Sequence, residues 1–286
     1  MLDQAEALRK LVDKSENTDN KSNTKIITVT SGKGGVGKSN FVVNLGICLQ
    51  NKGKKVLIFD ADLGMGNDDV LMGIYPKYNI FDIIFTGKKI EDIIMLGPNG
   101  VSLLPAGSGL NKVDELQESE RNLFLEKLES LSDFDYILMD TGAGINKSIL
   151  SFMAVSEDLI IVTTPEPTAL TDAYSLIKAA DHFKIKNHAM VVVNRAIDLS
   201  EGIDVYNKLQ RAVKRFLKLN LEYLGCVIDD RKVVQSVKMQ KPFVISYPTC
   251  EASKSIDNIA LKILGQDVKT SSGPRELFKK LFRIFS

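Results

Sequence analysis

No run of about 18 consecutive apolar residues occurs in this 286-residue chain, so no membrane-spanning helix is expected. Its first residues, Met1-Leu2-Asp3-Gln4-Ala5-Glu6, lack the basic start and apolar core of a secretory signal. Cysteines number three, Cys48, Cys226 and Cys250, and none forms a metal-type C-x-x-C pair. That usage fits a reduced, cytoplasmic setting. Two histidines, His182 and His188, stand apart from every chemical motif. The formal net charge is +1, so no global field draws in nucleic acid, and no specific nucleic-acid partner is expected. The length suffices for one large core or two small ones.

What is present begins with Ser31-Gly32-Lys33-Gly34-Gly35-Val36-Gly37-Lys38-Ser39. A β-branched run, Ile26-Ile27-Thr28-Val29-Thr30, precedes it, and a helix-like stretch from Asn40 to Asn51 follows. Strand, glycine-rich turn, Lys-Ser and helix form the context in which a phosphate-loop match is strong. The glycines let successive N–H groups point at phosphate oxygens, and the helix N-terminus adds partial positive charge. Lys38 would neutralise the β- and γ-phosphates of a nucleotide, and Ser39 would ligate Mg²⁺. Lys33 is a second loop lysine that an ordinary phosphate loop does not need.

Short, nearly continuous apolar runs predict buried strands at 25–30, 55–60, 101–104, 135–140, 158–163, 189–193 and 222–228. Helix-like spacing lies between most of them, notably at 119–131, 168–184, 203–217 and 252–264. The alternation predicts an α/β fold, a mostly parallel sheet with helices on both faces, over residues 25–265. Polar stretches at 13–24 and 266–273 read as linkers, separating an N-terminal helix candidate (1–12) and a C-terminal amphipathic helix (274–286) from that body.

Asp60 and Asp62 close the second strand, at the strand ends where an open α/β sheet binds ligands. They suit the orientation of an attacking water and the organisation of a Mg²⁺ shell. The fourth strand ends at Asp140, the usual Mg²⁺-side partner of a phosphate-loop hydroxyl, and Gly142 and Gly144 follow it. Asn194, with a donor and an acceptor, suits the edge of an adenine, and Ile228-Asp229-Asp230 could close the other side of a base.

The two ends are amphipathic. Leu2, Ala5, Leu8 and Val12 share one helix face. At the other end Leu277, Phe278, Leu281, Phe282 and Phe285 form an apolar stripe flanked by Lys279, Lys280 and Arg283. That composition predicts a helix lying in an anionic membrane surface, in preference to one packed on the protein's own body.

Taken together these motifs resemble the deviant phosphate-loop ATPases of the MinD/ParA class, whose mark is the extra lysine of K-G-G-x-G-K-[ST]. Asp60-Ala61-Asp62-Leu63-Gly64, Leu104-Pro105-Ala106-Gly107-Ser108-Gly109, Asp140-Thr141-Gly142-Ala143-Gly144 and the run Thr163 to Tyr174 are similar to the FlhG (FleN/YlxH) family of flagellar regulators. The resemblance implies an ATP-dependent homodimer in which Lys33 reaches the partner's phosphates. It implies ATP and Mg²⁺ held by Gly32 to Asn40, with Ser39, Asp62 and Asp140 on the metal side and Lys33, Lys38 and Asp62 in catalysis. Asp3-Gln4-Ala5-Glu6-Ala7-Leu8-Arg9 is similar to the element with which that family stimulates the FlhF-type GTPase, which assigns that contact to Asp3, Gln4, Leu8 and Arg9. Flagellar switch and transcription-regulator proteins are further candidate partners. Slow hydrolysis and reversible, peripheral membrane residence are expected. Gly66 stands where related loops often carry a larger residue, so a more mobile hydrolytic loop is expected. The alternatives are a ParA-type DNA-partition ATPase and a MinD-type positioning ATPase without a flagellar role.

Overall fold

A computed structural model describes residues 23–62, 66–105, 107, 129–265 and 273–285. In chain order the main elements are β1 (Lys25–Ser31), α1 (Lys38–Asn51), β2 (Val56–Ala61), α2 (Asp68–Met72), β3 (Met95–Leu96), β4 (Ser102–Pro105) and β5 (Tyr136–Ala143). Then come α3 (Lys147–Val155), β6 (Asp158–Thr163), α4 (Pro167–His182), β7 (His188–Ala196), α5 (Leu199–Phe216), β8 (Asn220–Ile228), α6 (Arg231–Lys238), α7 (Glu251–Leu264) and α8 (Gly273–Phe285). The strands form one eight-stranded sheet in the order β3-β4-β2-β5-β1-β6-β7-β8. All its pairings are parallel except β3 with β4.

The sequence-predicted strands match β1, β2 and β4 to β8 within a few residues. The edge strand β3 is two residues long, too short to show a period. Helix boundaries follow local chemistry. Asn146 accepts from the Ile149 N–H (2.9 Å) to start α3, and Asp198 accepts from the Glu201 N–H (2.8 Å) to start α5. Pro167 opens α4, where its missing N–H costs nothing. Of the helix expected at 119–131, residues 119–128 lie outside the described ones, and Glu129–Asp133 forms a 3₁₀ turn. The N-terminal element 1–12, most of the linker 13–24 and residues 266–272 of the second linker also lie outside them. Thr24, expected to end the first linker, is buried and donates to the Ser132 carbonyl (3.2 Å).

Strand periodicity sorts side chains between two faces. On β2, Val56 and Ile58 join the core beneath α1 and α7, whereas Leu57 and Phe59 join the opposite core. On β5, Leu138 takes the α1 side and Ile137 and Met139 the other. Extending this alternation by two residues carries Asp60 and Asp140 to the α1 side, at the strand ends where the β1–α1 loop curls. Asp60 and Asp140 are direct register partners on adjacent parallel strands.

The C-terminal helix corrects an expectation. Its stripe does not face outward: Leu277, Phe278, Leu281 and Phe282 are buried in the core opposite α1, together with Phe59, Leu131, Phe152 and Val155. Phe278 meets Phe59 edge-on with ring centroids 5.5 Å apart. Lys280, expected among lipid headgroups, is also buried. The physical reason is a groove assembled from β2, the 129–133 turn and α3, which are scattered along the chain and invisible to local periodicity. Burying each such side chain is worth about 1.5–3 kcal/mol relative to leaving it in water. The side chain of Phe285 lies outside the described part.

Candidate active site

The β1–α1 loop lies at the centre of the sheet, between β5 and β6. Here the chain switches from building outward through β2 and β4 to building through β6, β7 and β8. Such a switch point leaves a crevice at the carboxyl ends of the strands. Gly37 caps α1 with φ 88°, a left-handed conformation that favours glycine, and as a glycine it offers the first-turn N–H groups no capping side chain. Those donors are available to an anion. Gly34 and Gly35 border open space, and Gly32 packs on the backbone of Asp172 in α4.

The two loop lysines have different surroundings. Lys38 is buried, and its ammonium lies 2.5 Å from Asp140 Oδ1. Lys33 is 39% exposed, 3.1 Å from Oε2 of Glu166, the residue before α4, and 2.9 Å from Oγ1 of Thr168 in its first turn. Lys38 therefore serves the buried half of the site, while Lys33 stands at its surface.

Behind Lys38 the carboxyls crowd. Asp60 accepts from the backbone N–H of Asp62 (3.2 Å) and from that of Asp68. Burial, then the neighbouring Asp140, push Asp60 up to about 7. Asp68, missed by the sequence reading, is fully buried, and among the described residues no N–H or hydroxyl group donates to either of its oxygens. Burial first, then Asp140 and Asp60, hold its carboxyl well above the usual range. Asp62 is half-buried, and the β-carbon a side chain at Gly142 would carry lies 3.4 Å from Asp62 Oδ1. Gly66 is explained by close approach: a β-carbon there would strike the Asp60 carboxyl. Ser39 opens α1 beside Lys38.

A cavity of about 360 Å³ adjoins the loop, lined by Gly37, Asn40, Asn194, Arg195 and the Val227–Asp230 segment, with Phe243 and Ile256 at its apolar side. The residues proposed from sequence for a base thus come together. Asn194 is partly committed within the protein: it donates to the Val36 carbonyl (2.7 Å) and accepts from the Arg195 N–H (3.0 Å). It steadies the loop as well as facing the cavity, and its amide has a second N–H and a second lone pair beyond these two bonds. Asp230 caps α6 by accepting from the Lys232 N–H (2.8 Å). The apolar lining comes from distant segments, so sequence spacing did not reveal it.

No group of three or more His, Cys, Asp or Glu side chains is arranged as a ready metal cage among the described residues. An all-oxygen set with uncompensated buried carboxyl groups suits a hard cation such as Mg²⁺. That ion keeps several waters and shares phosphate oxygens rather than filling a protein cage.

Fold and site together define a phosphate-loop nucleoside triphosphatase with a second, surface-facing loop lysine. The profile of a family described as an AAA domain matches residues 24–193, more than half of the chain. The chain is 36% identical over 239 residues to the antiactivator FleN of Pseudomonas aeruginosa, covering 83% of this chain and 85% of FleN. It is 37% identical over 268 residues to the flagellum site-determining protein YlxH of Helicobacter pylori, covering 93% and 90%. Its fold matches that of the septum site-determining protein MinD of Pyrococcus horikoshii complexed with Mg-ADP, with a TM-score of 0.65 at 24% identity over 84% of this chain and 96% of that one. The chain belongs to the MinD/ParA family of P-loop ATPases, in the branch of FleN and YlxH.

Proposed function

We propose that this protein is an ATP-driven dimerisation switch that controls flagellar number or placement. The observation that carries the reading is the division of labour between its lysines: Lys38 buried against Asp140, and Lys33 at the surface, held by Glu166 and Thr168. A surface lysine beside an anion cradle can serve a second subunit's phosphates as an arginine finger does, and such fingers are worth about 10³–10⁵ in rate. Exposed apolar side chains, Ile145 after β5, Ile197 after β7 and Leu199 at the start of α5, suit a face that pairs with a second copy.

In this reading ATP enters the β1–α1 loop with its base in the adjoining cavity. Lys38 turns from Asp140 to the phosphates, and Lys33 exchanges Glu166 for the partner's nucleotide. Ser39, Asp62 and Asp140 would hold Mg²⁺, which would offset charge developing on the phosphates. Asp62 orients the attacking water. Turnover is slow, because a timer must hold its state. Dimerisation loosens α8 from its groove, and two weak amphipathic helices on one dimer then bind an anionic membrane together. The N-terminal element, through Asp3, Gln4, Leu8 and Arg9, stimulates the FlhF-type GTPase. The names of the relatives, an antiactivator and a flagellum site-determining protein, support the flagellar setting.

The test is co-sedimentation with vesicles containing anionic lipid. ATP should raise the pelleted fraction, ADP should not, and salt should lower it. Equal pelleting with both nucleotides would refute the coupling. DNA binding instead of vesicle binding would favour a partition ATPase.

A further inference from the structure

Asp68 has a place in the site that its sequence neighbourhood conceals. It begins the short helix α2, where an aspartate ordinarily faces water and favours the helix start. Here its accessibility is zero, and among the described residues both carboxyl oxygens lack an N–H or hydroxyl donor. It lies among groups of the nucleotide site: its backbone N–H is held by Asp60, its carboxyl contacts that of Asp140, and Lys38 is the nearby cation that favours its charge. Lys38 is already paired with Asp140, so one ammonium serves both Asp140 and Asp68, while Asp60 adds a further carboxyl beside them. A buried carboxyl that meets another carboxyl and no N–H or hydroxyl donor among the described residues is destabilising, and an apolar side chain would fill the position at less cost. The position is therefore matched to a state in which more positive charge, or more hydrogen-bond donors, have entered.

We propose that Asp68 is a positioning residue for the divalent cation of the nucleotide site, accepting hydrogen bonds from water on that cation and so tightening its binding. The proposal rests on the reading of the site as one for nucleotide and Mg²⁺. A Mg²⁺ ion retains several waters, and each needs an acceptor. Nucleotide phosphates would compete with Asp140 for Lys38, and the carboxyls so released would accept hydrogen bonds from water on the ion. Ion-bound water supplies the donors that Asp68 lacks. Outer acceptors of this kind typically set metal affinity by about 10- to 100-fold.

The experiment uses the full chain with a fluorescent ADP analogue and Mg²⁺ as the titrant, comparing the wild type with Asp68→Asn and Asp68→Leu. Analogue affinity is measured in chelator and across a Mg²⁺ series, and thermal midpoints are measured with neither ligand. The expected result has three parts. Asp68→Leu melts higher than the wild type without ligands; both variants bind the analogue normally in chelator; and both need roughly tenfold or more Mg²⁺ to reach half effect. Asp68→Asn keeps the shape should the leucine variant misfold. An unchanged Mg²⁺ midpoint in the folded variants would overturn the proposal and leave Asp68 a packing residue. Absence of any Mg²⁺ effect on the wild type would instead overturn the underlying reading of the site, and the proposal with it.

Discussion

Phe278 of the C-terminal helix packs edge-on against Phe59 of β2, ring centroids 5.5 Å apart, and Phe59 immediately precedes Asp60. The groove that holds the tail is thus one residue from a carboxylate of the nucleotide site, on the opposite face of the same strand. Replacing Phe59 by Leu keeps the groove apolar but removes an aromatic pair worth about 0.5–1.5 kcal/mol. Phe59→Leu should raise vesicle pelleting without ATP by about two- to tenfold, because the lipid-facing residues of the tail are untouched. Unchanged pelleting, with the tail still protected from protease, would show that this contact does not govern release.

Beneath the tail Lys186 turns its ammonium inward to the carbonyls of Ser156 and Glu157, although part of its side chain is exposed. Burial pulls it down to about 8; Glu157 and Asp158 oppose that shift, and Lys280 of the tail adds to it. Between about pH 8 and the ordinary lysine range, the unfolded chain holds a proton that the folded one has released, so stability rises with pH there. Below about 8 both states are charged and the cost is fully present. Urea unfolding at pH 7.5 and 9.5 should show the rise in the wild type and a flatter response in Lys186→Met. Parallel slopes would contradict this assignment.

Asp62→Ala should bind ATP and accumulate as a stalled dimer. Lys38 and Ser39 are intact in that variant, while the carboxylate held to orient water is lost. A variant that stays monomeric with ATP would make Asp62 a residue of the dimer face instead.

A peptide of residues 1–20 should raise the turnover of the FlhF-type GTPase, and Gln4→Ala should weaken the effect. No stimulation by a soluble peptide would leave the N-terminal element a docking helix at most.

The sheet is legible in the sequence because strands buried on both faces read as continuous apolar runs, as in Ile26–Val29 and Ile137–Met139. The phosphate loop is legible because its chemistry is contiguous, from Gly32 to Ser39. Features that depend on distant segments are not. The stripe of α8 reads identically whether it meets lipid or the groove around Phe59 and Phe152. Asp68 reads as a solvated acid of a helix start, yet Asp60 of β2, Asp140 of β5 and Lys38 of α1 all lie near its buried carboxyl. The pairing of Lys33 with Glu166 joins residues 133 positions apart, so no local pattern announces it.

The central claim, that Lys33 acts across a dimer, is tested most directly by sedimentation velocity of Lys33→Ala with ATP, beside a wild-type control and with turnover measured on the same samples. The account predicts that the wild type sediments as a dimer, whereas the variant binds ATP, stays monomeric and loses hydrolysis. A variant that dimerises with ATP and turns over at the wild-type rate would contradict it.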